Sequence, residues 1–130
     1  MAIVDPDAQR GEALAKAAGA TYFASSSDLV GKVDAAVVAS VSESHAQIGV
    51  PLLNAGIDLL VEKPIATSVE DARALVEAAR AHDRVLMIGH IERFNGAVIE
   101  AHRLLKEPLH VELTRMGPYS PRITSDIVLD

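Results

Sequence analysis

A chain of 130 residues that is 49% apolar can build one core of ordinary size, but aromatics are only 3%. Packing therefore rests on Ala, Val, Leu and Ile, a mixture suited to α/β layers rather than to a sandwich or small barrel. The net charge of −6 argues against a nucleic-acid or anionic-membrane surface, and the absence of Cys excludes disulfides and thiolate metal sites. No charged leader with an apolar core opens the chain and no apolar run approaches a membrane span, so the cytoplasm is the expected location.

The first apolar run, Ala2-Ile3-Val4, reads as a short strand. Asp5 as N-cap and Pro6 in the first turn predict a helix that includes Leu14 and Ala17 and stops at Gly19. Thr21-Tyr22-Phe23 reads as a second strand. Ser25 to Asp28 form a turn or a single helical turn, and Val33 to Ser40 read as a buried strand. A helix follows Ser42 or Ser44, carries Ile48, Leu52 and Leu53, and closes at Asn54-Ala55-Gly56. Pro51 within it implies a first-turn position or a kink.

Residues 57–61 are apolar except Asp58, the pattern of a strand buried on both faces of a parallel sheet. That strand delivers Glu62-Lys63-Pro64 to the carboxyl edge, where open α/β sheets bind ligands. Thr67 or Ser68 then caps a helix in which Ala72, Leu75, Val76 and Ala79 keep a helical spacing. Val85 to Gly89 reads as another buried strand, Phe94 to Leu105 as a helix, and His110 to Thr114 alternates like a half-exposed strand.

This order is that of a doubly wound, Rossmann-like parallel sheet. Such sheets begin with a strand and a G-x-G-x-x-G loop, with an acidic residue about 20 positions later. Asp5 stands where that acidic residue belongs, and no G-x-G-x-x-G occurs in the sequence. The expectation is therefore an α/β fragment, lacking the first strand and glycine-rich loop, with either an exposed pair of edges or a collapsed gap where that strand would lie. Residues 1–107 would form the incomplete cofactor domain and 108–130 the start of a second α/β domain.

Val-Asp-Pro-Asp (4–7), Ala-Ser-Val-Ser-Glu-Ser-His (39–45), Ala-Gly-Ile-Asp-Leu-Leu-Val-Glu-Lys-Pro (55–64) and Gly-His-Ile-Glu-Arg-Phe-Asn (89–95) together resemble the Gfo/Idh/MocA oxidoreductases. The run from Arg115 to Ile123, with Leu129-Asp130, resembles a narrower branch, the UDP-N-acetylglucosamine 3-dehydrogenases. The sequence departs from the family pattern at Val41-Ser42, where Thr-Pro is usual, and it lacks the glycine loop.

The resemblance implies a dehydrogenase moving a hydride between a sugar or nucleotide-sugar hydroxyl and nicotinamide, with Lys63 stabilising or deprotonating the reacting oxygen and touching both cofactor and substrate. A His beyond position 130 would share the base role. Glu62 would accept from a cofactor ribose, and Asp5 from the adenosine ribose. With Pro6-Asp7-Ala8-Gln9 following, rather than Arg or Lys, NAD is favoured over NADP. Ser40, Ser42 and His45 would contact the pyrophosphate and nicotinamide ribose, although Ser42 or Ser44 would serve equally as simple caps.

Arg93 and Asn95 are candidates for the nicotinamide side, and Arg115 and Arg122 for a substrate diphosphate. His90 reads as structural. Homo-oligomerisation of the full-length protein is implied as well. A free sugar, inositol or sugar acid is the alternative substrate, and a non-catalytic α/β module the alternative class. A metal site is not expected: the His residues lack H-x-x-x-H pairing, and His90-Ile91-Glu92 lacks the P-C-x-x-C of zinc deaminases.

Overall fold

The structure, a computed structural model, describes residues 1–112 and 114. Arg115, Arg122 and the rest of the run to Asp130 lie outside the described residues. The chain divides into two compact units, residues 1–89 and the unit that begins at His90. The boundary expected after residue 107 falls inside the second of these.

In the first unit, β1 (Ala2–Val4) pairs in parallel with β2 (Thr21–Phe23), and α1 (Ala8–Ala18) connects them. A 3-10 turn (Ser26–Leu29), capped by Ser25, leads to β3 (Ala35–Val38). A second 3-10 turn (Ser42–Ser44) runs into α2 (His45–Asn54). Then come β4 (Asp58–Val61), α3 (Val69–Ala81) and β5 (Leu86–Ile88).

Among the described residues all pairings are parallel, as in a doubly wound fold, but the ladder is broken into two sheets, β1-β2 and β3-β4-β5. The sheet is discontinuous where the central strand of the order 3-2-1-4-5-6 would be.

Several local expectations change. The cap of α1 is Asp7, which accepts from the Arg10 N–H, and not Asp5. Pro51 lies inside α2 rather than in its first turn. Strands β3 and β5 are half-exposed, not buried: Val37 is 64% and Met87 55% exposed. Their register explains it. Val37, Leu60 and Met87 are partners across β3, β4 and β5, and α2 and α3 pack on the other face, where Val38, Leu59 and Val61 are buried.

The core is aliphatic, with Leu53, Ile57, Leu75 and Val61 fully buried, each contributing about 1.5–3 kcal/mol of transfer free energy. Helix α3 forms as expected, with Ser68, of the two expected caps, accepting from Asp71 N–H; Leu75 and Ala79 of the expected face are buried together with Ala78, while Ala72 and Val76 are half-buried.

In the second unit, a 3-10 turn (Ile91–Phe94) precedes α4 (Gly96–Leu104), which buries none of its residues. Residues 110–112 and 114 are not in a strand, contrary to the alternation in their sequence.

Candidate functional site

Strand register brings three chain segments out at one edge of the larger sheet. Val38, Val61 and Ile88 are cross-strand partners, so Ala39-Ser40, Glu62-Lys63 and Gly89 emerge together at the carboxyl edge. Backbone bonds extend the ladder one step further: Glu62 N–H donates to Val38 O at 2.9 Å and Gly89 N–H to Val61 O at 2.8 Å.

Glu62 is held by its neighbours. Its carboxylate accepts from the Lys63 N–H at 3.3 Å and lies over Gly89, where a Cβ would stand 2.9 Å from Glu62 Oε2. Glycine at 89 thus makes room for the carboxylate. Glu62 and Lys63 are both half-buried, and the Lys63–Pro64 peptide is cis.

His45 opens α2 directly beneath this edge. It is 1% exposed, with Nδ1 2.9 Å from Pro64 O and Nε2 3.2 Å from Ser40 O. Both ring nitrogens thereby face backbone carbonyls rather than the open edge. Ser40 is exposed and accepts from Ser44 Oγ–H at 2.7 Å. Ser42 begins the 3-10 turn, and its carbonyl accepts from His45 N–H. Neither Ser42 nor Ser44 caps through its side chain; the Ser44 hydroxyl lies between Ser40 Oγ, at 2.7 Å, and Val41 O, at 2.8 Å, and shares its one proton between them.

Asp5 ends β1. Arg10 donates to both its oxygens, at 2.6 Å from Nε and 2.8 Å from Nη2, and Asp7 N–H adds a third bond. The Arg10 guanidinium, and after it the Asp7 amide, hold the Asp5 carboxyl below the usual aspartate range. Tyr22 O–H donates to the Asp5 carbonyl and fixes the backbone there.

Inspection of the residues directly after Asp5 missed this arginine. It stands five positions on, where the first turn of α1 carries it back over the strand end. Asp7 as cap, three residues before Arg10, is the signal that would have found it. The notch beneath Glu62 was also missed, although a glycine directly after a strand was visible.

In the second unit, Asn95 caps α4 by accepting from Ala97 N–H and donates to Glu92, while Arg93 and His90 are exposed. Another depression, between α3 and the start of β5, is lined by Val76, Ala79, Arg80, Asp83, Arg84 and Leu86. It lies at the amino edge, away from Lys63, and is not where a doubly wound sheet binds ligands. Among the described residues no group of three His, Asp or Glu could hold a metal ion, and no helix is long and apolar enough to cross a membrane.

Asp5 at the end of β1 and Glu62 at the end of β4 each carry a carboxylate that can accept from hydroxyls, and Ser40 is exposed at the end of β3.

Comparison with known proteins agrees. Residues 1–90 match the model of the Gfo/Idh/MocA oxidoreductase family, described as having an NAD-binding Rossmann fold. The UDP-N-acetylglucosamine 3-dehydrogenase of Acidithiobacillus ferrooxidans is 29% identical over 98% of this chain and 42% of its own length. Inositol 2-dehydrogenase 3 of Saccharopolyspora erythraea is 34% identical over 81% of this chain and 32% of its own.

Among solved structures, the WlbA dehydrogenase of Bordetella pertussis, in complex with NADH and UDP-GlcNAcA, superposes with a TM-score of 0.76 at 28% identity. That match covers 79% of this chain and 32% of the other. The chain thus spans less than half the length of these relatives. With the parallel strands, the shared carboxyl edge and a family model covering residues 1–90, this chain belongs to the Gfo/Idh/MocA family of NAD-binding Rossmann-fold oxidoreductases.

Proposed function

We propose that this chain is the cofactor-side part of an NAD-dependent dehydrogenase acting on a secondary hydroxyl of a sugar or nucleotide sugar. The observation that carries the proposal is the shared carboxyl edge, where register and backbone bonds gather Ser40, Glu62, Lys63 and the anchored Pro64. Bound NAD would supply the hydride acceptor.

What the chain supplies is orientation and charge stabilisation. The Lys63 ammonium donates a hydrogen bond to the reacting oxygen and stabilises the alkoxide as it develops, while the hydroxyl proton passes to the base that the family resemblance implies, a His beyond position 130. Positioned groups of this kind contribute ~10²–10⁴-fold. Glu62, steadied over Gly89, accepts from a ribose hydroxyl, and Asp5 accepts from the adenosine ribose while its charge disfavours a 2′-phosphate. Arg10, by neutralising that charge, sets how strongly NAD is preferred over NADP. Arg93 and Asn95 are assigned to the nicotinamide side, Ser42 to the phosphates, and Arg115 and Arg122 to a substrate diphosphate. A homo-oligomer in the cytoplasm completes the reading.

The test is a chimaera in which these 130 residues replace the aligned segment of the Acidithiobacillus relative. It is assayed for NAD reduction with UDP-N-acetylglucosamine, myo-inositol and glucose. Activity with one of them that falls ~10²–10⁴-fold in Lys63→Ala is expected; unchanged turnover in that variant removes Lys63 from the mechanism.

A second reading, a non-catalytic module, draws on the lack of a G-x-G-x-x-G in the sequence. A folded chimaera inert toward all three substrates would favour it.

A further inference from the structure

We infer that His45 is a positioning residue, whose buried imidazole ties the Lys63-Pro64 turn to the start of α2 and so sets where the Lys63 amine is presented. The inference rests on the reading of Lys63 as the group that meets the reacting oxygen.

The sheet ladder stops at Glu62 N–H and Gly89 N–H. Beyond it, Lys63 N–H turns to the carboxylate of Glu62, and Pro64 has no N–H to give. The Pro64 carbonyl is held instead by His45 Nδ1 at 2.9 Å, across 19 positions of sequence, while Nε2 faces Ser40 O at 3.2 Å. One ring therefore lies between the ends of two adjacent strands.

A carbonyl oxygen only accepts, and a neutral imidazole has a single N–H. The shorter contact is assigned that proton, so the Nδ1–H bond to Pro64 O is the clasp, and Nε2, left with its lone pair, gives Ser40 O no hydrogen bond. His45 is 1% exposed and Pro64 is buried, so solvent offers the carbonyl no ready substitute. A ring meant for a ligand would keep a nitrogen at the surface. This one is spent on the backbone of the segment that carries Lys63.

The geometry separates two conservative variants. In His45→Asn the side-chain amide reaches the place of Nδ1, and in His45→Gln it reaches that of Nε2. The experiment uses the 130-residue chain, with Lys63 reductively methylated with ¹³C-formaldehyde and amide exchange followed residue by residue. His45→Gln is expected to shift the methyl resonance of Lys63 and to raise exchange at residues 63, 65 and 66 by roughly five- to tenfold, the loss of one buried bond. Amides of β1 and β2 should be unchanged. His45→Asn should restore both signals.

Equal behaviour of the two variants, rescue by Gln rather than Asn, or exchange raised across the whole first unit would overturn the proposal. The last outcome would make His45 an ordinary core residue. In the chimaera, His45→Gln should lower kcat with little change in KM, and His45→Asn should recover it; a KM effect alone also counts against the inference. The methyl and exchange signals report positioning whether or not Lys63 acts on substrate. A Lys63→Ala variant with undiminished turnover would therefore sink the functional reading while leaving the clasp measurable.

Discussion

At Asp5, one carboxylate receives a bidentate guanidinium, a backbone amide and, by the proposal, a ribose. Its lowered pKa has a defined consequence. A group whose folded pKa is depressed contributes stability above its unfolded value of about 3.9, and that stability is lost as pH falls through the lower folded value. Arg10→Ala removes the largest cause but leaves the Asp7 amide. The Asp5 titration, read by carboxyl ¹³C shifts, should therefore move up toward the ordinary range without reaching it. The same variant should sharpen discrimination against NADP, since the uncompensated carboxylate repels the 2′-phosphate more strongly.

Gly89 offers a second test at this scale. In Gly89→Ala the new Cβ meets the far end of a flexible side chain, so stability should fall by no more than about 1 kcal/mol. The Glu62 carboxylate must move, however, and the Lys63 amide resonance should shift with it.

Among the elements, α2 and α3 carry the packing that holds the edge in place. Gly49 of α2 lies where a Cβ would be 2.5 Å from Leu75 Cδ2, and Leu75 is 0% exposed. Gly49→Ala should cost about 1–3 kcal/mol by overpacking, measured by urea unfolding. Ser68→Ala, which strips the α3 cap, should cost about 1 kcal/mol.

The periodicity of α3 was legible because one face of a helix repeats its burial every three or four residues, and Leu75, Ala78 and Ala79 follow that rule. Strands β3 and β5 misled for the opposite reason. An unbroken apolar run signals two covered faces, and a short strand gives no way to tell when one face lies open.

For the molecule as a whole, the two-sheet break stands beside a three-stranded sheet that helices cover on one face, with Val37 and Met87 exposed and Leu60 half-buried on the other. Lysine at Val37 and Met87 should leave stability within about 0.5 kcal/mol, because neither side chain belongs to the core. Titration of the chain alone with NAD should give little or no heat. Asp5 and Glu62 can hold riboses, but no glycine-rich loop at a helix N-terminus is present to hold the pyrophosphate; micromolar binding would contradict this.

Fold class, the order of elements, the strand that carries Glu62-Lys63 and the candidate edge were all readable from residues alone. Each rests on local pattern: apolar runs, caps, and a proline that stops a helix after a strand. Three things depended on the folded chain. Arg10 lies on Asp5 because a helix start bends it back, Gly89 lies under Glu62 because two strands end in register, and His45 turns inward because the Pro64 carbonyl meets its ring. The last two join segments far apart in sequence, Glu62 with Gly89 and His45 with Pro64, whose separation along the chain carries no information about distance in space, whereas Arg10 needed only the geometry of a local turn.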